Sequence, residues 1–271
     1  MTDHNEMQIS EAELIAMTNA LEEMHQATLP TMRASMLDLG NDLRRRGSAA
    51  GAKLASRRAF LAGGSAVVGG LVLTACSGKS STTGTGASAT PTKAGASGSA
   101  DISALATDAS IEALAVFAYD AALTAAPKGK FGKTVPAAVA TFATVAKQQH
   151  MDHLNAFNAA ITGAGGTAYT KPDPALAPTV TKLFGGITNV VDLAKLAITL
   201  ENTAAATYIQ QMGSLTNPAA LAAVATIAPV ERQHSAILNF VIGEYPVPDT
   251  FVKLGKTDTS LGARPSNEAG A

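Results

Sequence analysis

Apolar residues recur every three or four positions in four long stretches of the chain, roughly residues 101–126, 135–162, 188–213 and 217–242. This spacing places the apolar side chains on one face of an α-helix. Glycine and proline punctuate the stretches at Pro127, at residues 163–166 and at Pro218, and these residues end helices more often than they continue them. The pattern predicts four long helices.

The connections between these helices differ in length. Short segments join the first to the second and the third to the fourth, whereas residues 163–187 separate the middle pair. One long crossover is typical of an all-α, four-helix bundle of the ferritin-like topology, which we expect over residues 101–245. The crossover is expected to carry a short helix near residues 179–184. Residues 246–271 form a predicted tail, in which Val247, Pro248 and Phe251 would pack back on the bundle.

Six ionisable residues replace apolar ones on the predicted inward faces. Each lies three, four or seven positions from an apolar neighbour on its helix, so each points into the bundle. The six are Glu112, His150, His153, Glu201, Glu231 and His234. Unpaired buried charges are very costly, so the set predicts a metal site. The alternative is a hydrogen-bonded network of glutamate and histidine without metal.

Three further residues lie on the same faces. Gln149 precedes His153 by four positions, and Tyr119 and Tyr208 follow Glu112 and Glu201 by seven. We expect Gln149 to contact one of the metal ligands without binding the metal itself. The two phenols are expected either to hydrogen-bond a ligand carboxylate or to serve as core aromatics with a bonded hydroxyl.

Composition and charge narrow the function classes. Aromatic residues make up 4% of the chain and tryptophan is absent, which favours closely packed helices over a β-sandwich. A formal net charge of −1 offers no basic surface for neutralising phosphates, so nucleic-acid binding is excluded. The sequence contains no Ser-His-Asp order, phosphate-binding glycine loop or zinc-ribbon spacing.

The single cysteine, Cys76, ends a Gly-rich apolar stretch that begins after Arg57 and Arg58. A positive segment, an apolar segment and small residues, in that order, are typical of an export signal. The arginine pair followed by Phe60-Leu61 resembles the twin-arginine translocation consensus. The sequence Leu-Thr-Ala-Cys that ends at Cys76 resembles the lipobox of bacterial lipoproteins.

These motifs imply a signal peptide over residues 56–75 and an acylated Cys76 as the first mature residue. Residues 76–100, rich in Ser, Thr, Gly and Ala, would form a flexible tether. The twin-arginine translocase and lipoprotein signal peptidase would be partners during export. The bundle would then lie on the outer face of the cytoplasmic membrane, held by the lipid. An uncleaved membrane span is the alternative.

Residues 1–55 precede the signal as a long, cytoplasmic n-region. Ser10 and Glu13 have capping-box spacing, which predicts a short helix from Ser10 to His25. Translation from Met32 or Met36 is an alternative that would leave an ordinary n-region. His4 and His25 are not expected to take part in chemistry.

The inward residues resemble those of the ferritin-like superfamily. Glu112 and Glu201 alternate there with helices that carry Glu-x-x-His, as Glu231 and His234 do. The phrases Ile-Glu-Ala-Leu-Ala around Glu112 and Leu-Glu-Asn-Thr-Ala around Glu201 further resemble secreted ferritin-like proteins that include desiccation-related ones. The resemblance implies one or two metal ions per chain, with iron or manganese favoured and zinc or copper compatible with the ligand types.

The second helix departs from that pattern, because His150 stands where the superfamily has a bridging glutamate. Three carboxylates then supply −3 against the +4 of two divalent ions. One ion, or two held unevenly, is therefore expected. Asp152 is not expected to substitute for the missing carboxylate, because its neighbour His153 occupies the inward face.

The sequence as a whole predicts a membrane-anchored, extracytoplasmic ferritin-like protein. Its metal site would serve redox chemistry or protection against oxidative or desiccation stress, and an enzyme of this kind would be a metal-dependent oxidoreductase. The alternative function is a metal-free or weakly metal-binding structural or interaction module of the cell envelope. Nothing in the sequence indicates an oligomeric state.

Overall fold

The computed structural model describes the backbone of residues 7–63, 94–249 and 251–269. Cys76 and most of both the predicted signal peptide and the predicted tether lie outside these ranges. The described residues form six α-helices and no β-strand. The helices are α1 (Glu11–Gly63), α2 (Ala94–Ala125), α3 (Ala137–Gly163), α4 (Ala177–Gly186), α5 (Val190–Met212) and α6 (Pro218–Val241).

The predicted all-α bundle is confirmed. Helices α2, α3, α5 and α6 correspond to the four predicted helices, and α4 is the short helix expected in the crossover. The starts of α5 and α6 follow from their sequence. The side chain of Asn189 accepts the Asp192 N–H at 2.8 Å, and that of Asn217 accepts the Ala219 N–H at 2.8 Å. These bonds satisfy amides that the helix leaves free at its first turn.

Small side chains form much of the core. Ala109, Ala146, Ala160 and Ala204 are buried, so the helices approach closely around a few large residues such as Phe157. Helix α2 packs along α3, and α5 packs along α6. The segment Ala100–Lys128 is long and apolar enough to cross a membrane, but two-thirds of its most apolar window is buried within the bundle. It is therefore the core helix of the bundle.

Helix α1 is a fifth long helix of the bundle, packed along α3 and α6. It begins as predicted, since the Glu13 N–H donates to Ser10 Oγ at 3.1 Å and the Ser10 N–H donates to the Glu13 carboxylate at 2.9 Å. It then continues far beyond His25. The buried side chains recur at three, four or seven positions, a helical stripe that fits one long packed face. They include Leu14, Leu21, His25, Leu29, Met36, Leu39 and Leu43.

The start of α1 contacts the start of α3, and Arg44, within α1, contacts the end of α3. Glu11 accepts the backbone N–H of Ala138 at 3.1 Å, and Arg44 Nε donates to the carbonyl of Gly163 at 2.6 Å. The two helices are therefore parallel. Both contacts satisfy backbone groups that α3 leaves free at its termini.

Glycine permits the closest approach of α1 to α3. A Cβ at Gly40 would lie 2.8 Å from the Ala160 carbonyl oxygen and 2.8 Å from Gly163 Cα. Those atoms belong to the backbone of α3 and cannot move aside as a flexible side chain would. The backbones are in direct contact at this point.

The C-terminal tail lies elsewhere than expected. Val247 and Phe251 are 55% and 82% exposed and Pro248 is exposed too, so the expectation that they pack back was wrong. The residues that pack back lie further along, where the N–H of Leu261 donates to Thr203 Oγ1 at 2.9 Å and that of Arg264 donates to Thr207 Oγ1 at 3.1 Å. Hydroxyls on α5 hold the later part of the tail, whereas the apolar residues in its first part remain exposed to solvent.

Replacing Gly40 tests the docking of α1. Gly40→Ala should lower the free energy of unfolding by about 1–3 kcal/mol, because the new methyl group forces α1 away from α3. Gly47→Ala is the matched control, since a Cβ there meets nothing within 4 Å and alanine favours the helix by up to about 1 kcal/mol. Urea unfolding of the full chain measures both. Equal stability of the two variants would contradict the docking of α1.

Candidate metal centre

The structure brings the six predicted residues together in the middle of the bundle. Each is at most 1% exposed. Their ligand atoms form two overlapping groups, each with all atoms within 4.8 Å of one another. The first group is Glu112, His150, His153 and Glu231, and the second is His150, Glu201, Glu231 and His234.

His150 and Glu231 belong to both groups and join them. His150 Nδ1 lies 2.7 Å from Glu112 Oε2, and its Nε2 lies 3.3 Å from Glu201 Oε1. Glu231 Oε1 lies 3.2 Å from His153 Nδ1, and Glu231 Oε2 lies 3.7 Å from His234 Nδ1. His150 therefore presents one nitrogen to each group, and Glu231 presents one oxygen to each.

The two site glutamates that do not lie on α6, Glu112 and Glu201, each accept a hydrogen bond from a tyrosine of the opposite helix. Tyr119 on α2 donates to Glu201 on α5 at 2.5 Å, and Tyr208 on α5 donates to Glu112 on α2 at 2.6 Å. Burial and the neighbouring carboxylates raise the pKa of both phenols well above the ordinary value. Both tyrosines therefore stay protonated and hold the carboxylates in place.

Gln149 lies behind His234. Its Oε1 is 2.8 Å from His234 Nε2, and its Nε2 donates to Glu22 of α1 at 2.8 Å. Gln149 was predicted to contact a metal ligand, and in the structure that residue is His234.

Among the three glutamates of the site, Glu231 is the one whose carboxylate oxygens accept no hydrogen bond. The residue is fully buried, and both oxygens lack a partner of hydrogen-bond geometry. His150 Nδ1 at 3.6 Å and His234 Nδ1 at 3.7 Å are too far from Glu231 for a hydrogen bond, although both lie within ion-pair distance. His153 Nδ1 is nearer, at 3.2 Å, but lacks hydrogen-bond geometry. A buried carboxylate without a donor is costly, and a cation satisfies it. The donor set of the site therefore fits a metal ion.

The charges of the metal-free site balance one another. Burial alone lowers the pKa of an imidazole, but the surrounding glutamates raise that of His153 to about 9 and also raise the pKa values of His150 and His234. Burial would raise the pKa of Glu112, yet the imidazoles of His153 and His150 hold it at about 2. The same kind of pairing keeps the pKa of Glu201 well below its ordinary value. A metal ion that binds here must therefore displace protons from histidine.

Helix α1 brings a further histidine to the edge of the site. The ring of His25 lies 5.3 Å from that of His153, and its Nε2 is 3.5 Å from Asp152 Oδ2. Arg33 donates to the same aspartate at 2.7 Å. Asp152 therefore faces α1 and not the six residues, as expected, but His25 lies much closer to the site than we expected. The apolar stripe of α1, followed past Leu21, was the signal that could have placed it.

A groove runs between α1 and α6 toward this edge. It encloses about 1270 Å³ including its open mouth, and both His25 and His153 line it. Its other lining residues come from α1 and α6, among residues 27–35 and 222–230. The groove connects solvent with the histidine edge of the site.

The paired charges predict a pH dependence for the metal-free protein. The raised pKa of His153 stabilises the fold fully below 6.5, and this contribution is lost as the pH rises through about 9. The lowered pKa of Glu112 stabilises the fold above 4.5, and that contribution is lost as the pH falls toward about 2. Urea unfolding after chelation should therefore show greatest stability from this site between pH 4.5 and 6.5. Stability that rises between pH 6.5 and 9 would contradict the pairing.

Comparison with known proteins gives one match. A family model described as a ferritin-like domain matches residues 100–244, which is more than half of the chain. No curated protein matches the chain, and no solved structure does. The matched residues include the four bundle helices almost entirely and all six residues of the site. The chain belongs to the ferritin-like domain family.

Proposed function

We propose that this protein is a membrane-anchored, extracytoplasmic ferritin-like protein that holds one or two metal ions for redox chemistry, in protection against oxidative or desiccation stress. The observation that carries the proposal is Glu231, a fully buried carboxylate without a hydrogen-bond donor among three histidines and two further glutamates. A cation supplies what this carboxylate lacks.

The six residues would hold the metal, with His150 and Glu231 shared between two adjacent positions. Mixed imidazole and carboxylate donors suit iron and manganese, and also zinc or copper. A bound iron or manganese ion would supply one-electron chemistry with oxygen or peroxide. Three of the six residues are carboxylates, so two divalent ions would leave an excess positive charge among these ligands, and a single ion is the simpler occupancy.

The residues around the site have distinct roles in this proposal. Tyr119 and Tyr208 fix the carboxylates of Glu201 and Glu112 by hydrogen bonds, so that these ligands are preorganised. The buried side chains around the cluster exclude water. The groove at His153 admits a small reactant from solvent.

The membrane location rests on sequence motifs. The arginine pair at 57 and 58 and the lipobox at Cys76 support export and acylation, and two acyl chains anchor a protein stably where one does not. The N-terminal flank of a signal peptide, rich in arginine, stays on the cytoplasmic side. Export would thus separate the bundle from α1, which the full chain packs against it.

A second function, a metal-free structural module, is favoured by one observation. Three protonated imidazoles and three carboxylates leave the metal-free cluster neutral, with the pKa directions expected of ion pairs. A buried network of this kind can be kept for its specificity alone. Metal content decides between the two functions.

Removal of the Glu231 charge tests the metal site. After anaerobic loading with iron or manganese and dialysis, elemental analysis of the purified full chain should find about one ion or more per chain. Glu231→Gln should weaken binding at least about 10-fold, because the amide keeps the shape but supplies no charge. Glu244→Gln is the control, since that carboxylate is exposed near the end of the same helix. Less than about a tenth of an ion per unaltered chain would favour the metal-free module.

Cell fractionation tests the location. In a bacterium with both export systems, the unaltered chain should appear in the membrane fraction with residues 1–75 removed. Cys76→Ser should abolish acylation, and Arg57→Lys with Arg58→Lys should leave the uncut chain in the cytoplasm. An unaltered chain that stays uncut and cytoplasmic would contradict the proposed export.

A further inference from the structure

We propose that Glu22, on α1, is a positioning residue of the metal centre in the full chain, that is, before residues 1–75 are removed. Through Gln149 it fixes the ring of His234 so that Nδ1 faces Glu201 and Glu231 and Nε2 carries the proton. The inference rests on the proposed metal site and extends it to a helix outside the matched residues 100–244.

Two hydrogen bonds in series carry the proposal. Gln149 Nε2 donates to Glu22 Oε2 at 2.8 Å, and Gln149 Oε1 lies 2.8 Å from His234 Nε2. A carboxylate only accepts, so Glu22 must face the amide nitrogen of Gln149. The amide oxygen then faces His234, and an oxygen can only accept. The proton of this contact therefore lies on His234 Nε2.

The other nitrogen of His234 is consequently the one that faces the cluster. Nδ1 lies 3.3 Å from Glu201 Oε2 and 3.7 Å from Glu231 Oε2. With Nε2 occupied by the bond to Gln149, the lone pair of the neutral ring belongs to Nδ1, which is the atom placed to bind a cation. A partner on the far nitrogen also raises the basicity of a ligand imidazole.

Burial makes this chain of contacts effective. Gln149 and His234 are both fully buried, so no bulk water competes for the amide. The orientation of a free amide is otherwise undetermined, since its nitrogen and oxygen exchange places by a half turn. Glu22 removes that freedom because only one of the two orientations gives it a donor.

Neither of the other two histidines has an equivalent arrangement. His150 directs both nitrogens at glutamates of the cluster, and His153 has the ring of His25 beside it. His234 alone among the three is held from behind by a hydrogen-bond chain that ends on α1. The contact exists while α1 is docked, and removal of residues 1–75 would leave Gln149 without this acceptor.

The test compares Glu22→Gln with Glu23→Gln in the full chain. Glu23 is the adjacent, exposed carboxylate. Both variants lose one negative charge, but only Glu22→Gln changes the residue that Gln149 contacts, so the comparison separates the effect of the contact from the effect of the charge. Zn²⁺ serves as a diamagnetic probe, with its affinity measured by competition with a chelator. Glu22→Gln should weaken Zn²⁺ binding about 10-fold or more, while Glu23→Gln should leave it unchanged. Equal affinity of the two variants would overturn the proposal.

A second readout follows the ring itself in the metal-free chain. With ¹⁵N-labelled histidine, the proton on His234 Nε2 should exchange slowly with solvent in the unaltered chain and faster in Glu22→Gln. The double variant Glu22→Gln, Gln149→Glu should restore slow exchange, because the new amide donates to the new carboxylate, which still accepts from His234. Unchanged exchange in Glu22→Gln, or no recovery in the double variant, would overturn the positioning role.

The two readouts separate this inference from the proposed function. An unaltered chain that binds no Zn²⁺, iron or manganese would defeat the proposed metal site. The exchange rate at His234 in the metal-free chain would still decide whether Glu22 orients the ring. Urea unfolding of each variant shows that a change in either readout is not a loss of the fold.

Discussion

Three carboxylates buried from bulk solvent must be neutralised, and the remainder of the centre is arranged around that requirement. Glu112, Glu201 and Glu231 come from three helices and meet at one level of the bundle. Protons on the three histidines balance their charge in the metal-free protein but leave Glu231 without a hydrogen bond, whereas a metal ion that displaces those protons would also bind Glu231. Both states need the same six residues, because loss of one partner would leave an uncompensated buried charge, which destabilises a fold by about 3–5 kcal/mol.

The centre repeats across the bundle. The pair α2 and α3 contributes Glu112 with two histidines, and the pair α5 and α6 contributes Glu201 with Glu231 and His234. The tyrosines cross between the pairs, each bonded to the glutamate of the opposite helix. The symmetry is broken at His150, because α3 carries His150 and His153 at the spacing at which α6 carries Glu231 and His234. Glu231 is therefore the only carboxylate that both groups share.

The sequence predicted what helical periodicity determines, namely the four bundle helices and the inward positions of Glu112, Glu201 and Glu231. Periodicity assigns a residue to a face but does not say which helix lies opposite, so the crossing of the tyrosine bonds could not be predicted.

Helix α1 was not predicted to be part of the bundle. Its stripe through Leu14, Leu21 and His25 was readable, but the segment was assigned to a cytoplasmic n-region ahead of the export signal and not to the bundle, so the nearness of His25 to His153 was missed. The prediction for the C-terminal tail was wrong for another reason. The hydroxyls of Thr203 and Thr207 accept hydrogen bonds from backbone N–H groups of the tail, and no pattern of side chains reveals such bonds.

Metal binding at Glu231 can be seen in an anomalous-scattering map of crystals of the full chain, grown after loading with iron or manganese. We expect a peak within bonding distance of Glu231, with ligands drawn from the residues that surround it in the bundle core. A map with no peak there, in a bundle whose glutamates and histidines keep their paired positions, would contradict metal binding at this residue.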